Sequence, residues 1–444
     1  MTTPAPDPTQ NPGDSPATAA TPLARRRWWR IMPMIFITYS LAYLDRANFG
    51  LAAAAGMARD LRITETMSSL IGSLFLLGYF AFQVPGAIYA ERYSVRRLII
   101  ASMLVWGACS TLTGIIPNAY GLLVVRFLTG VAEAAVMPAM LIYISRWFSR
   151  SERSMANTLF ILGNPVTVLW MSVLSGYLIA VLSWRWMFIL EGLPAVLWAF
   201  VAWVPATDQP DGAAWLTPAE KTALARTLAA ERTATIAVRS YGDMFRSPRL
   251  LLLGVQYACW SAGVFGFVLW LPSILVHGKS MGMVRTGFLA AVPYLLAIAA
   301  MLVVSYLAKR SANPMTYVWT CLLAGGVAFG GLLFLGDSDY WLSYALLILA
   351  GAAMYAPYGP YWAVVADLLP KNVAGGAMAL VNSMGALGGF VGSYLIGYLN
   401  GTTGSLKASY ILLTVAMVAA AAIIRAFALP TSRPDGPPAH RHKA

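Results

Sequence analysis

The sequence predicts an all-α membrane protein of twelve spanning helices, arranged as two pseudo-symmetric halves of six. Three observations point there. Of 444 residues, 59% are hydrophobic and only 11% are charged, where a soluble domain carries about 25% charged residues. The apolar residues fall in blocks close to the ~20 residues a membrane helix needs. The second half of the chain also echoes the first. This composition excludes a soluble enzyme, a disulfide-stapled secreted domain and a disordered chain. A membrane β-barrel would need alternating segments of ~10 residues, which are absent from the sequence.

Taken in order, residues 1–24 are rich in Pro, Thr and Ala, and 1–27 reads as a disordered cytoplasmic tail. Arg25, Arg26, Arg27 and Arg30 precede the first apolar block, 31–57. That block exceeds the ~7–15 residues of a signal-peptide core and contains Asp45 and Arg46, which such a core would not carry. Spans at 68–90, 96–116, 119–145, 154–181 and 186–206 complete a first half over 28–206. The longest connection, 207–249, is a cytoplasmic linker. Within it Thr217-Pro218-Ala219-Glu220 forms a capping box with proline at the first helical position. Leu224 and Leu228 then share one face of a short amphipathic helix, either a tether between the halves or plain linker. Spans at 250–276, 283–308, 313–335, 339–369, 373–399 and 408–428 form a second half over 250–428, and 429–444 is a second disordered tail.

The net charge of +13 has its cause in the loops. Of the 31 Lys and Arg, 23 fall in alternate loops and tails or at the span ends beside them, six in or beside the opposite loops, and two, Arg46 and Arg126, deep inside spans. That bias places both termini on the cytoplasmic side of the membrane. It leaves no reason to expect a nucleic-acid partner. Cys109, Cys259 and Cys321 sit within apolar blocks, and His277, His440 and His442 lie outside the spans, so neither a metal nor another cofactor is expected.

The internal echo is specific. Ser175-Gly176-Tyr177-Leu178-Ile179 matches Gly392-Ser393-Tyr394-Leu395-Ile396 at an offset of 217 residues, and Asn164 matches Asn382 nearby. Such repeats place a transported substrate near mid-membrane, between the repeats.

Ionisable groups inside a span cost ~2.5 kcal/mol or more each. Span one holds Asp45 and Arg46; span four holds Arg126 and Glu133. Tyr39, Tyr43 and Arg46 share one helix face, and Asp45 lies about 100° around from Arg46, so the two can take different partners. The plainer reading is two structural ion pairs. The functional one is proton-coupled binding of an organic anion: carboxylates in a low-dielectric site exchange protons, and an arginine grips a carboxylate in a bidentate fork. The second half has no matching acid; aligning Gly130 with Gly351 puts Met354 opposite Glu133. It offers Gln256, Tyr257, Trp260, Tyr355, Tyr358, Tyr361, Trp362 and Asn382, with Tyr79 facing from span two. These are hydrogen-bonding and flat surfaces suited to a polyhydroxylated ligand, though interfacial aromatic residues also serve as membrane anchors. Glu91, Arg92, Arg96 and Arg97, between spans two and three, read as a gating charge lock or as simple cytoplasmic anchoring. The glycines of span eleven read as close packing, and Arg185 with Glu191 as a local ion pair.

Four runs together resemble the anion:cation symporters of the major facilitator superfamily. They are Tyr43-Leu44-Asp45-Arg46-Ala47-Asn48, Arg126 to Ala134, Phe188-Ile189-Leu190-Glu191-Gly192-Leu193-Pro194-Ala195, and Trp215 to Lys221. The resemblance covers nearly all of 28–428. It implies the major facilitator fold and alternating access. It also implies protons carried by Asp45 and Glu133, Arg126 paired with Glu133, and the substrate carboxylate on Arg46. Asn164, Trp362 and Asn382 match substrate contacts. Ala87, Glu91 and Ser94 depart from the usual loop pattern, which implies a differently built lock. Further runs, such as Ala353-Met354-Tyr355-Ala356-Pro357-Tyr358-Gly359-Pro360, are similar to bacterial 2-ketogluconate transporters. The expectation is a monomeric, non-enzymatic proton symporter in the lipid bilayer. Its substrate is a small organic anion, first a sugar acid such as 2-ketogluconate. Gluconate, galactonate, hexuronate, tartrate, phthalate and hydroxyphenylacetate classes are the alternatives, and a non-transporting membrane sensor is the remote one.

Overall fold

The structure is a computed structural model that describes residues 25–204, 206–233, 248–278, 281–311, 313–335, 339–368 and 374–428. Both expected tails, apart from residues 25–27, and the second part of the linker lie outside the described residues. Every regular element among those described is helical.

The first half contains α1 (Arg26–Ala54), the short α2 (Met57–Asp60), α3 (Glu65–Arg92), α4 (Val95–Ile115), α5 (Ala119–Glu133), α6 (Val136–Trp147), α7 (Arg150–Val181) and α8 (Trp184–Trp203). The linker carries α9 (Pro218–Thr233). The second half contains α10 (Pro248–Gly278), α11 (Met283–Lys309), α12 (Pro314–Leu335), α13 (Tyr340–Tyr355), α14 (Tyr358–Leu368), α15 (Ala374–Thr403) and α16 (Lys407–Ala428). Among the described residues, eleven stretches are long and apolar enough to cross a membrane. The twelfth is α1, long enough at 29 residues but made more polar by Asp45, Arg46 and Asn48, all three largely buried within the bundle.

Local chemistry sets the helix ends. Thr64, Ser94, Asn118, Ser183 and Asp339 each accept a backbone N–H of the first turn through their side chains. Helix α1 ends at Gly56, whose φ of 96° is the left-handed conformation that suits glycine. The Thr217–Glu220 capping box starts α9, with Thr217 N–H donating to the Glu220 carboxylate at 2.8 Å.

Two expected spans, 119–145 and 339–369, are each broken in the middle. The breaks fall between Glu133 and Val136 and between Tyr355 and Tyr358. Each begins four residues before a proline: Pro138 cannot donate to the Ala134 carbonyl, nor Pro360 to that of Ala356. The breaks are repeat-related, and they put Tyr355, rather than Met354, at the station of Glu133.

The halves meet through equivalent pairs, α3 with α15 and α7 with α11, with α1 beside α10. Spans two and eleven thus repeat the relation of spans eight and five, which is the pseudo-two-fold. The seam is tight where side chains are small. A Cβ on Gly176 would stand 2.7 Å from the Met283 carbonyl oxygen, and one on Gly50 2.6 Å from that of Leu269. Gly397 lies against Ser69, and Gly401 against Thr66. These contacts lie at the end of the bundle away from the linker.

Candidate functional site

On the linker side of that seam a small cavity lies between the halves. Each bounding helix passes from seam to cavity along its length: α3 from Ser69 to Tyr79, α7 from Gly176 to Asn164, α15 from Gly397 to Asn382. Seven of the expected binding residues line it: Tyr43, Arg46, Tyr79, Asn164, Tyr358, Trp362 and Asn382. The repeat-related asparagines therefore face one space. Tyr39, Tyr257, Ser261 and Tyr355 line it as well.

Two expected contacts are not in the lining. Trp260 is fully buried behind it, donating its indole N–H to the Met354 carbonyl at 3.1 Å and packing on Tyr358. Gln256 is fully buried and turned toward α16, its amide 3.5 Å from the Ala420 carbonyl. Both lie on α10, whose cavity face carries Tyr257 and Ser261. Gln256 and Tyr257 are about 100° apart on a helix, and hydrophobic pattern alone does not say which faces in.

Arg46 is the charged group in the cavity lining. Its Nε donates to Glu133 Oε2 at 3.0 Å, with Glu133 fully buried and the Arg46 side chain 8% exposed. Tyr79 lies face-on to the guanidinium, 4.7 Å from its carbon, with Tyr43 at 5.6 Å and Phe75 at 5.5 Å. Arg46 Nη2, Glu133 Oε1 and Asn164 Oδ1 have no hydrogen-bond partner among the described residues.

Arg126 does not pair with Glu133, contrary to what the resemblance implies. Seven residues along a helix separate them by about 10 Å, too far for a direct bond. Arg126 Nη1 donates instead to Asp45 Oδ2 at 2.8 Å, and the Ser110 hydroxyl donates to Asp45 Oδ1 at 2.6 Å. Asp45 and Arg46 thus take different partners, as their angular separation allows. Phe75 lies between the two guanidiniums, 5.3 Å from that of Arg126.

A further acid joins the residues of the expected charge lock. Asp208, at the start of the linker, accepts the Ser94 hydroxyl at 2.6 Å and the Arg96 backbone N–H at 2.9 Å, with Arg146 4.0 Å away. Glu91 contributes its backbone carbonyl to Arg146, Arg97 N–H caps onto Ser94, and Arg96 lies over Trp203. Arg92 ends α3 as a basic last-turn residue. Close by, Arg27 pairs with Glu152 at 2.8 Å and donates to the Trp147 carbonyl. Burial pushes the Glu152 carboxyl up, but the Ser149 N–H and hydroxyl and the Arg27 guanidinium outweigh it and hold it below the usual carboxylate range. The sequence did contain the signal for Asp208, an acid two residues past the end of span six, but only the fold brings it beside Ser94.

Arg185 and Glu191 do not form an ion pair. Arg185 donates to the Gly114 and Ile116 carbonyls, while Glu191 accepts from Asn48 and Ser175.

The sequence pattern of the family described as Major Facilitator Superfamily matches residues 35–393. The chain belongs to the Major Facilitator Superfamily. A "Putative tartrate transporter" of Agrobacterium vitis is 32% identical over 86% of this chain and 86% of its own. A "Quinolone resistance transporter" of Acinetobacter baumannii is 28% identical over 88% and 91%. Among solved structures, a bacterial homolog of the human lysosomal transporter Spinster, inward-facing and unoccupied, superposes with a TM-score of 0.63 at 18% identity. It covers 91% of this chain and 96% of its own. The resemblance to the anion:cation symporter branch of the superfamily holds. This superfamily member is a multi-pass membrane transporter and not an enzyme.

Proposed function

We propose that this transporter couples inward proton movement to uptake of a hydroxylated carboxylate, by alternating access of the two halves. It acts as a monomer in the bacterial inner membrane with both termini cytoplasmic. The observation that carries this reading is the ion pair between Arg46, which lines the cavity, and the fully buried Glu133. A substrate carboxylate and Glu133 compete for one guanidinium. A proton arriving on Glu133 cancels its charge and frees Arg46 to hold the substrate in a bidentate fork. Proton loss restores the pair and expels the anion. Asp45, tied to Arg126 and Ser110, is the second proton carrier. Asn164 and Asn382 meet substrate hydroxyls, one from each half. Trp362, Tyr358 and Tyr79 supply flat walls, and movement at Asp208 accompanies opening.

The substrate class is a small hydroxy acid. Tartrate and the six-carbon sugar acids of the sequence resemblance share a carboxylate on a short chain that bears several hydroxyls, which is what the arginine and asparagines fit. 2-Ketogluconate is the first compound to test. The experiment is uptake of labelled 2-ketogluconate into proteoliposomes, with and without an inward proton gradient. Gluconate, galactonate, tartrate and phthalate serve as competitors. Gradient-dependent accumulation supports the reading, and the strongest competitor names the substrate. A second reading, export, is favoured by the quinolone-resistance relative. It predicts that an outward-acidic gradient empties preloaded vesicles instead of filling them, and that outcome would overturn uptake.

A further inference from the structure

Outside the cavity, Glu191 of α8 is a buried carboxylate, 6% exposed, that the cycle above does not use. Its partners are neutral. The Asn48 amide of α1 donates to Oε2, and the Ser175 hydroxyl of α7 donates to Oε1 at 2.7 Å. Asn48 and Ser175 are both fully buried. An ionised carboxylate held this way, without a cation, is costly in a membrane bundle.

The hydrogen-bond count shows what the cluster can accommodate. Ser175 has one hydroxyl proton and two acceptors within reach, Glu191 Oε1 and Asn48 Oδ1 at 3.1 Å. With Glu191 ionised, Ser175 donates to it. With a proton on Oε1, Glu191 donates to Ser175 Oγ, and the Ser175 hydroxyl turns to Asn48 Oδ1. The Asn48 amide stays on Oε2 throughout. The protonated state satisfies both acceptors, the ionised state leaves Asn48 Oδ1 without this donor, and the two interconvert with the same side chains, so one proton can come and go with only a hydroxyl rotation.

The surroundings leave that proton to Glu191. On α1, Asp45 is its charged neighbour, itself paired with Arg126, while Arg46 is paired with Glu133. On α4, packed along α8, Arg96 and Arg97 stand at the far end, where Arg96 lies over Trp203; Cys109 is the titratable group further along, and the contact at Gly192 is made by Thr111. At the head of α8, Arg185 is occupied with two carbonyls. On α7, Ser175 precedes Gly176, which lies against Met283 and Gly287 of α11 in the seam. The repeat puts Gly392 in the place of Ser175, so the second half has no matching relay.

We propose that Asn48, Ser175 and Glu191 form a third proton-binding site, separate from the two arginine-paired acids and set at the seam between the halves. The proposal goes beyond the uptake reading. It is tested without transport, so that its failure and that of the uptake reading are distinguishable. The test is infrared difference spectroscopy of the purified, substrate-free full chain on a pH jump, following the carbonyl stretch of protonated carboxylic acids. The expected result is a titrating band that is lost in Glu191→Gln and kept in both Asp45→Asn and Glu133→Gln. Ser175→Ala, which keeps the carboxyl but removes its partner, should shift the same band and its pH midpoint. It also serves as the reporter if Glu191→Gln does not fold. An unchanged set of titrating bands in Glu191→Gln, or an unshifted one in Ser175→Ala, overturns the proposal.

Discussion

Replacing Glu133 by Gln separates proton coupling from substrate binding. In the wild type the fully buried Glu133 carboxylate holds Arg46 at 3.0 Å, so a substrate anion binds only as that bond is given up. Removing one partner of a buried pair shifts the energy of the other by about 3–5 kcal/mol. If a third of that passes to the substrate, about 1.4 kcal/mol, binding tightens about tenfold. The sign with pH follows from the competition. A rising pH ionises Glu133, which reclaims Arg46, so wild-type affinity falls. The glutamine cannot ionise, so the variant's affinity stays flat and exceeds the wild type's most on the alkaline side. Calorimetric titration of detergent-solubilised protein across the pH range reads this directly. Gradient-driven accumulation should disappear while exchange of internal for external substrate survives. A variant that binds more weakly than wild type at alkaline pH, or keeps the wild-type pH slope, would refute the competition at Arg46.

Three further outcomes follow from the geometry. Arg126→Met strands the Asp45 carboxylate with Ser110 as its hydrogen-bond donor, at a cost of about 3–5 kcal/mol. Adding Asp45→Leu should recover most of it in reversible unfolding, and a double variant no more stable than the single one would count against the pair. Gly176→Leu drives a side chain into the Met283 carbonyl, so spin labels at the seam ends of α7 and α11 should move apart and transport should fall; unchanged distances would refute the seam. Because the folded Glu152 carboxyl sits below its ordinary range, its contribution is present above the ordinary carboxylate value and is lost as pH falls through the folded one. Glu152→Gln should flatten the acid limb of the thermal stability profile, with the wild-type limb unchanged as the contrary result.

Much of the site was legible in the chain because charge is rare inside apolar spans. Asp45, Arg46, Arg126 and Glu133 stand out by cost alone, and the Asn164–Asn382 echo marks one polar group in each half. Pairing was less legible. A sequence spacing of seven puts Arg126 and Glu133 on one face, but two helical turns apart, and the bonding partner of each comes from α1. The helix breaks had a local signal in Pro138 and Pro360, yet Pro165, Pro272 and Pro293 stay within continuous helices. Proline position alone therefore did not mark them.

By itself the sequence determined the spans, the two-fold echo and the residues too costly to be idle, since membrane length and desolvation act on each segment separately. The tertiary structure decided which acid meets which guanidinium, that Trp260 and Gln256 stand behind the wall, and that Asp208 and Glu191 find distant partners. Those outcomes depend on rotations and distances between helices. Burial within one segment leaves them undetermined, and they arise only when α1, α5, α7 and α8 pack together.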